Sequence, residues 1–190
     1  MGNREDLLEG ARKAILERGL AKVTARDIAA AASVSLAAIG YHFGSKDRLI
    51  SEAITEATGS VIGDAIDATI RVAGEGRTLW ESLGPTWDGM LEVVRDKREQ
   101  LLLSMENGLR IMRSPESQQY LAEASRGAYA ELAGLLQDIH PNLTPEQARA
   151  VGKLYFLMFQ GYALLGLLAP DGDLLTGEEV ATAVEALRTK

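Results

Sequence analysis

The sequence predicts an all-α chain, and three observations carry that prediction. Apolar residues recur at three- and four-residue spacing in almost every segment, as helices that bury one face require. No run of alternating Val, Ile or Thr competes for a strand. Hydroxyl residues, glycines and prolines fall where helices start and stop.

Taken in order, Leu7, Leu8, Ala11, Ala14 and Ile15 describe an amphipathic first helix stopped at Gly19. Thr24 with Asp27 three residues on has capping-box spacing and starts a short second helix, completed by Ile28 to Ala32. Ser33-Val34-Ser35 breaks it. Ser35 is placed to cap a third short helix from Leu36 to about His42, and Ser45 a fourth from Lys46 past Ile70. Gly74-Glu75-Gly76 is a turn. Thr78–Lys97 and Glu99–Arg113 read as helices, with an interruption expected at Gly84-Pro85. Ser114 caps, and Pro115 opens, a helix to about Asp138. After the loop His140-Pro141-Asn142-Leu143, Thr144-Pro145-Glu146 opens an apolar helix ending at Pro170. Asp171-Gly172-Asp173 turns into a last amphipathic helix, Thr176 to Leu187.

Composition narrows the function classes. The 190 residues are 46% hydrophobic and 25% charged, which excludes disordered and fibrous chains. There is no cysteine, so disulfide frameworks, thiolate metal sites and cysteine nucleophiles are out. With only His42 and His140, no histidine-rich metal site is expected, and no cofactor. The first residues are charged and lack the apolar core of a signal peptide. The longest nearly apolar run, Leu154 to Ala169, has 16 residues where a membrane span needs about 20. It reads as a buried helix, and a cytoplasmic chain with no membrane partner is expected.

The net charge of −7 looks wrong for a nucleic-acid binder until it is divided. Residues 1–50 hold eight Lys/Arg against six Asp/Glu, while the remainder holds twelve against twenty-one. A slightly basic head precedes an acidic body, and a polyanion responds to the local patch rather than the total.

Two short helices joined by a tight turn, flanked by longer ones, have the layout of a helix-turn-helix. Ile28, Ala29, Ala32, Val34, Ile39 and Phe43 supply its inward set. The outward side of the third helix then carries Leu36, Ala37, Gly40 and Tyr41, with Ser35, Tyr41, His42 and Lys46 placed to reach phosphates. On periodicity alone, a helical hairpin without any nucleic-acid role stands level with this reading.

Specific residues separate the two. Thr24-Ala25-Arg26-Asp27-Ile28-Ala29, then Val34-Ser35, then Tyr41-His42-Phe43-Gly44-Ser45-Lys46-Asp47-Arg48-Leu49 closely resemble the TetR family of transcriptional regulators over roughly residues 5–52. The resemblance implies a DNA-binding domain at 1–48 and a helical effector-binding and dimerisation domain at 49–190. It further implies a repressor that binds a double-stranded operator and is released by a small molecule. Thr24 matches a hydroxyl that touches phosphate, Ser35, Leu36, Ala37 and Ala38 the start of the recognition helix, and His42 and Lys46 a backbone-contacting pair. Arg26 has two readings, a phosphate contact or a local pair with Asp27 or Asp47. Three positions depart from the family pattern. Ser33 replaces Gly or Asn in the turn, and is strained if its backbone is left-handed. Ala38 replaces a hydroxyl residue. Gly40 replaces a frequent tyrosine and weakens the short helix by about 1 kcal/mol relative to Ala.

Enzyme motifs are missing. No Gly-x-Ser-x-Gly elbow, phosphate-binding glycine loop or His-Glu-x-x-His occurs, and Glu178-Glu179 lies on a polar helix face. The competing reading is a helical interaction protein with a degenerate helix-turn-helix and no specific DNA binding.

In the body, Trp87, Met90, Met105, Met112, Tyr155 and Phe159 suit the lining of an apolar or amphipathic effector site, or simply a core. Arg110 is a polar position amid these runs, able to orient such a molecule. The Thr144–Ala169 helix is apolar all round, which requires burial on more than one side. Leu154, Leu157, Met158, Gly161 and Leu165 form one stripe of it. With Leu132 and Leu136 of the preceding helix, that stripe is expected to build a homodimer interface.

Overall fold

A computed structural model describes residues 3–188, and these form nine α-helices. In chain order they are α1 (Asn3–Arg18), α2 (Ala25–Ala31), α3 (Leu36–Phe43), α4 (Lys46–Gly74), α5 (Leu79–Asp96), α6 (Arg98–Ile111), α7 (Pro115–Ile139), α8 (Pro145–Leu168) and α9 (Gly177–Arg188). There is no strand among the described residues, as the absence of alternating β-branched runs requires. Backbone amides at four helix starts are satisfied by reciprocal side-chain caps: Thr24 with Asp27, Thr78 with Glu81, Thr144 with Gln147, and Thr176 with Glu179. Ser45 and Ser114 accept from the amides of Arg48 and Ser117. Ser35 occupies the N-cap of α3, but its hydroxyl makes no capping bond, so only its extended backbone starts that helix.

The helices sort into two compact units. The first runs to Ser60 and takes in the distant stretch Leu103–Glu123. Its core is built from Leu7, Leu8, Ala11 and Ile15 of α1, Ile28 of α2, Ile39 and Phe43 of α3, and Leu49, Ile50 and Ile54 of α4, with Leu103 packed against it. A Cβ on Gly10 would stand 2.7 Å from that of Ala32, so the missing side chain is what lets α1 touch the end of α2.

The second unit comprises Val61–Leu102 and the chain from Ala124 onward. Its buried set includes Trp87, Met90, Val93 and Val94 of α5, Leu132 and Leu136 of α7, and Tyr155, Phe159, Tyr162 and Leu167 of α8. The interruption expected at Gly84-Pro85 does not occur: α5 continues through Pro85. The proline ring faces solvent, and Ser82, Thr86, Trp87 and Met90 stay buried along one face on both sides of it. Burial of that face outweighs the single backbone bond proline removes. Gly84 also packs backbone-to-backbone on Gly177, where an added Cβ would lie 2.1 Å from the Gly84 carbonyl oxygen. The Gly177 amide donates to Asp88 Oδ1 at 2.7 Å, tying the start of α9 to α5.

Helix α8 extends beyond the 16-residue apolar run, to 24 residues, and by length and composition it is apolar enough to cross a membrane. Only a third of its most apolar stretch is buried. Tyr155, Phe159 and Tyr162, spaced four and three apart, turn inward, while Leu154, Leu157, Leu164, Leu165 and Leu168 are exposed.

Candidate nucleic-acid interface and effector core

The α2–α3 turn is set by Ser33, whose φ of 55° is left-handed, a conformation L-residues with a side chain adopt at a cost. That strain, expected if Ser33 took the glycine-type conformation, is present. The turn orients α3 so that Ile39 and Phe43 face the core while Leu36, Ala37, Gly40 and Tyr41 face solvent. Tyr41 is 86% exposed and packs edge-on against His42 with ring centres 4.9 Å apart. Ala38 is removed from the contact surface: it is 8% exposed, because its position on the helix points it into the core.

Around this face stand the groups that suit phosphates. Thr24 and Arg26 are exposed, and His42 and Lys46 are half-buried. Lys46 donates from Nζ to the Val23 carbonyl at 3.3 Å, which holds its ammonium beside the start of α2. Thr24 caps with Asp27, and that hydrogen bond, more than any charge, holds the Asp27 carboxyl below its ordinary value. Asp27 also pairs with Arg18 at 3.6 Å, and Asp47 pairs with Arg110. Both candidate partners of Arg26 are thus engaged by other arginines.

Behind the interface lies an ionic cluster that sequence reasoning missed. Glu52 is 1% exposed and is held by Arg4 and, at 2.8 Å, by Arg48; the Arg4 guanidinium also sits 5.1 Å over the Phe43 ring. Arg12 pairs with Glu56 at 3.1 Å, and the Tyr120 hydroxyl donates to Glu56. Burial first, then the nearby Glu56 and Glu52, pushes the Tyr120 hydroxyl up to about 12. Asn107, 2% exposed, donates from Nδ2 to the Ser51 carbonyl and the Thr55 hydroxyl. Residues 103–123 are therefore bound to the head by Asp47–Arg110, Ser51–Asn107 and Glu56–Tyr120. The one available signal was Glu52 itself, a carboxylate inside the apolar run Leu49, Ile50, Ala53, Ile54.

The residues expected to line an effector site do not stay together. Trp87, Met90, Tyr155 and Phe159 are buried in the second unit. Trp87 meets Tyr155 and Tyr162 edge-on, each at 5.4 Å between ring centres. Tyr162 donates its hydroxyl to the Leu175 carbonyl. The Trp87 Nε1 is buried and lacks a hydrogen-bond partner among the described residues, while the buried Tyr155 hydroxyl has only the Thr86 hydroxyl beside it. Burial pushes the Tyr155 hydroxyl up to about 12, and the neighbouring Thr86 hydroxyl offsets part of that rise. Met105, Arg110 and Met112 belong to the first unit instead. Arg110 is spent on Asp47 and Met112 is 65% exposed, so neither joins the aromatic core.

The expected dimer residues also divide. Leu154, Leu157 and Leu165 are exposed, Met158 is half-buried, and a Cβ on Gly161 would meet nothing within 4 Å. Leu132 and Leu136 are withdrawn from that surface, because they are 7% and 0% exposed within their own unit. Gly166 faces inward too, where an added Cβ would stand 2.9 Å from Val94.

Residues 7–53 match the family model of bacterial regulatory proteins, tetR family. The multidrug binding protein EbrR, in a crystal structure with imidazole, aligns with a TM-score of 0.59 at 22% identity, covering 97% of this chain and 93% of EbrR. A protein from Mesorhizobium loti described as a TetR-family transcriptional regulator aligns at 0.60 and 18% identity, covering 97% and 94%. One from Streptomyces coelicolor A3(2), described as a transcriptional regulator, aligns at 0.59 and 22%, covering all of both chains. Among curated proteins no sequence matches this chain. The resemblance to the TetR family read from the sequence holds over the head, and the fold of TetR-family regulators extends over the whole chain.

Proposed function

We propose that this chain is a ligand-responsive transcriptional repressor that binds a palindromic operator as a homodimer and is released by a small apolar or amphipathic effector. The observation that carries the reading is the TetR-family head at residues 7–53, whose third helix presents Leu36, Ala37, Gly40 and Tyr41 to solvent. In this reading residues 1–48 do the DNA work and 49–190 sense and dimerise. Ser35, Leu36, Ala37 and Tyr41 enter the major groove, while Thr24, Arg26, His42 and Lys46 hold phosphates.

The aromatic core supports the effector class. One orphaned donor, Trp87 Nε1, sits among apolar rings near the Tyr155 hydroxyl and its Thr86 neighbour, an arrangement that suits a largely apolar molecule carrying one or two acceptors. The α8 stripe supports the dimer. Leu154, Leu157, Gly161, Leu164, Leu165 and Leu168 form a continuous exposed apolar face, and a second copy of the same face is self-complementary about a two-fold axis. Two recognition helices then read successive major grooves about 34–36 Å apart. A bilayer suits this helix less well, since its other face already packs Tyr155, Phe159 and Tyr162 into a protein core.

Selection of duplexes from a random pool tests the reading. A palindromic consensus is expected, with Leu36→Glu abolishing specific binding and Lys46→Ala reducing the salt slope by about one. Failure to enrich any sequence, together with unchanged affinity in both variants, overturns it.

A further inference from the structure

The exposed face of α3 is unusual in what it offers a base pair. The side chains that read bases through paired hydrogen bonds are Arg and Lys for guanine, Asn and Gln for adenine, and Asp and Glu for cytosine. None of these occurs between Leu36 and Phe43. The outward residues are instead Leu36 (48% exposed), Ala37, Gly40 and Tyr41 (86% exposed), an apolar strip with one phenol. Gly40 leaves a flat patch in its middle, since nothing lies within 4 Å of where its Cβ would be.

The cations of the head lie off α3, Lys13 on α1 and Lys22 between α1 and α2, and most of the others are held elsewhere. Arg4 is held by Glu52 and stacked over Phe43, Arg12 is held by Glu56, and Arg18 by Asp27. Arg48 is held by Glu52, and Lys46 is fastened to the Val23 carbonyl at the start of α2. Arg26 lies on α2, the helix that crosses the backbone rather than entering the groove. Apart from the Ser35 hydroxyl at its start, the Tyr41 phenol and the half-buried His42, what α3 offers the major groove is apolar, and the apolar feature that distinguishes a base there is the C5-methyl group of thymine.

We propose that this protein reads its operator chiefly through thymine methyl groups packed against Leu36, Ala37 and Tyr41, with Gly40 allowing the helix to approach them closely. The proposal rests on the DNA-binding reading above and specifies its substrate: half-sites whose decisive major-groove positions are T·A pairs, with little direct discrimination at G·C pairs. Affinity falls when the methyl is removed even though every hydrogen-bonding edge is kept.

Deoxyuridine separates the two, because it differs from thymidine only by that methyl. The full-length protein is first used to select duplexes from a random pool, and the consensus is then synthesised with one dT→dU change placed symmetrically in both half-sites. At two or more positions per half-site, affinity measured by fluorescence anisotropy is expected to fall about ten- to twenty-fold, four-fold or so for each of the two methyls lost. Placing 5-methylcytosine instead of cytosine at the same positions is expected to recover a similar factor. Leu36→Ala is expected to bind more weakly yet lose sensitivity to the methyl at the position Leu36 covers. A consensus that tolerates dU within two-fold at every thymine, or whose decisive positions are G·C pairs, overturns the thymine-methyl readout while leaving DNA binding intact. A pool that yields no consensus overturns the DNA-binding reading itself.

Discussion

Replacing Tyr155 by Phe is expected to stabilise the protein, against the usual direction of a core substitution. Tyr155 is 2% exposed on α8, its ring meets Trp87 edge-on, and its hydroxyl makes no hydrogen bond of good geometry, with only the Thr86 hydroxyl beside it. A buried hydroxyl left poorly paired costs about 1–3 kcal/mol, since it surrenders water and gains little in return. Phenylalanine keeps the ring and its aromatic contacts. The void left by one oxygen is about 10–15 Å³, the size of a single water probe. At about 24 cal/mol per Å³ that void costs about 0.3 kcal/mol. The balance is a gain of about 1–2.5 kcal/mol, or about 2–10 °C in Tm for a chain of this size.

Urea unfolding followed by far-UV circular dichroism, at one fixed protein concentration, reads this directly. Tyr155→Phe should raise the midpoint with an unchanged slope. A hydroxyl that does make a good bond gives the opposite sign, a loss of about 0.5–1.5 kcal/mol. A lowered midpoint therefore refutes the claim that this group is poorly paired, and with it the reading that its hydroxyl is open to an acceptor from a ligand. The same variant should lose part of the stabilisation an effector confers on the wild type.

Leu157→Asp, at a site 61% exposed, should leave helix content unchanged while sedimentation falls from a dimer to a 20.4 kDa monomer; a dimer that persists places the interface elsewhere. Removing both arginines that hold Glu52, in Arg4→Ala with Arg48→Ala, should destabilise by about 3–5 kcal/mol in urea, because a 1% exposed carboxylate is left uncompensated; a cost below 1 kcal/mol shows that the charge is otherwise solvated. Burial lowers the pKa of His140, so the fold favours neutral imidazole. The unfolded chain then binds the extra proton, and stability should fall as pH drops from the ordinary imidazole value of 6.5 through the lower folded value. His140→Asn should flatten that part of the stability–pH curve, and an unchanged slope between the two proteins would exclude His140 as its source.

The head was legible because its rules are local. Capping hydroxyls, the Ser33 turn and the inward set Ile28, Ile39 and Phe43 depend on spacings of a few residues, and the structure places each as the pattern implies. Even there, spacing located Ser35 at the cap without revealing that its hydroxyl is unused. Ala38 shows a second limit. The face drawn from spacing, Leu36, Ala37, Gly40 and Tyr41, leaves it out; Ala38 enters only through the family resemblance, and the structure buries it. Pairings across long separations left no pattern to read. Asp47 with Arg110 and Glu56 with Tyr120 lie 63 and 64 residues apart; spacing offers Asp47 to Arg26 and Arg110 to an effector, and singles out neither Glu56 nor Tyr120.

Helix α8 marks where periodicity stops discriminating. A helix apolar on every side states that two surfaces must be covered, and both requirements were visible in the sequence. Which half turns inward was not, because leucine and the aromatic residues are equally apolar by any count. The structure decides it by shape. Trp87 on α5 meets Tyr155 and Tyr162, seven residues apart on α8, each in a T-shaped contact at 5.4 Å between ring centres. The branched leucines are left on the other face, where the exposed Gly161 keeps the centre of the stripe low. Aliphatic knobs around a low centre are what a second copy of the same helix packs against. The division of α8 into an aromatic inner half and an aliphatic outer half thus follows from one residue, Trp87. Trp87→Leu should accordingly loosen the aromatic core first, seen as lost near-ultraviolet ellipticity, while the sedimentation of the dimer is retained.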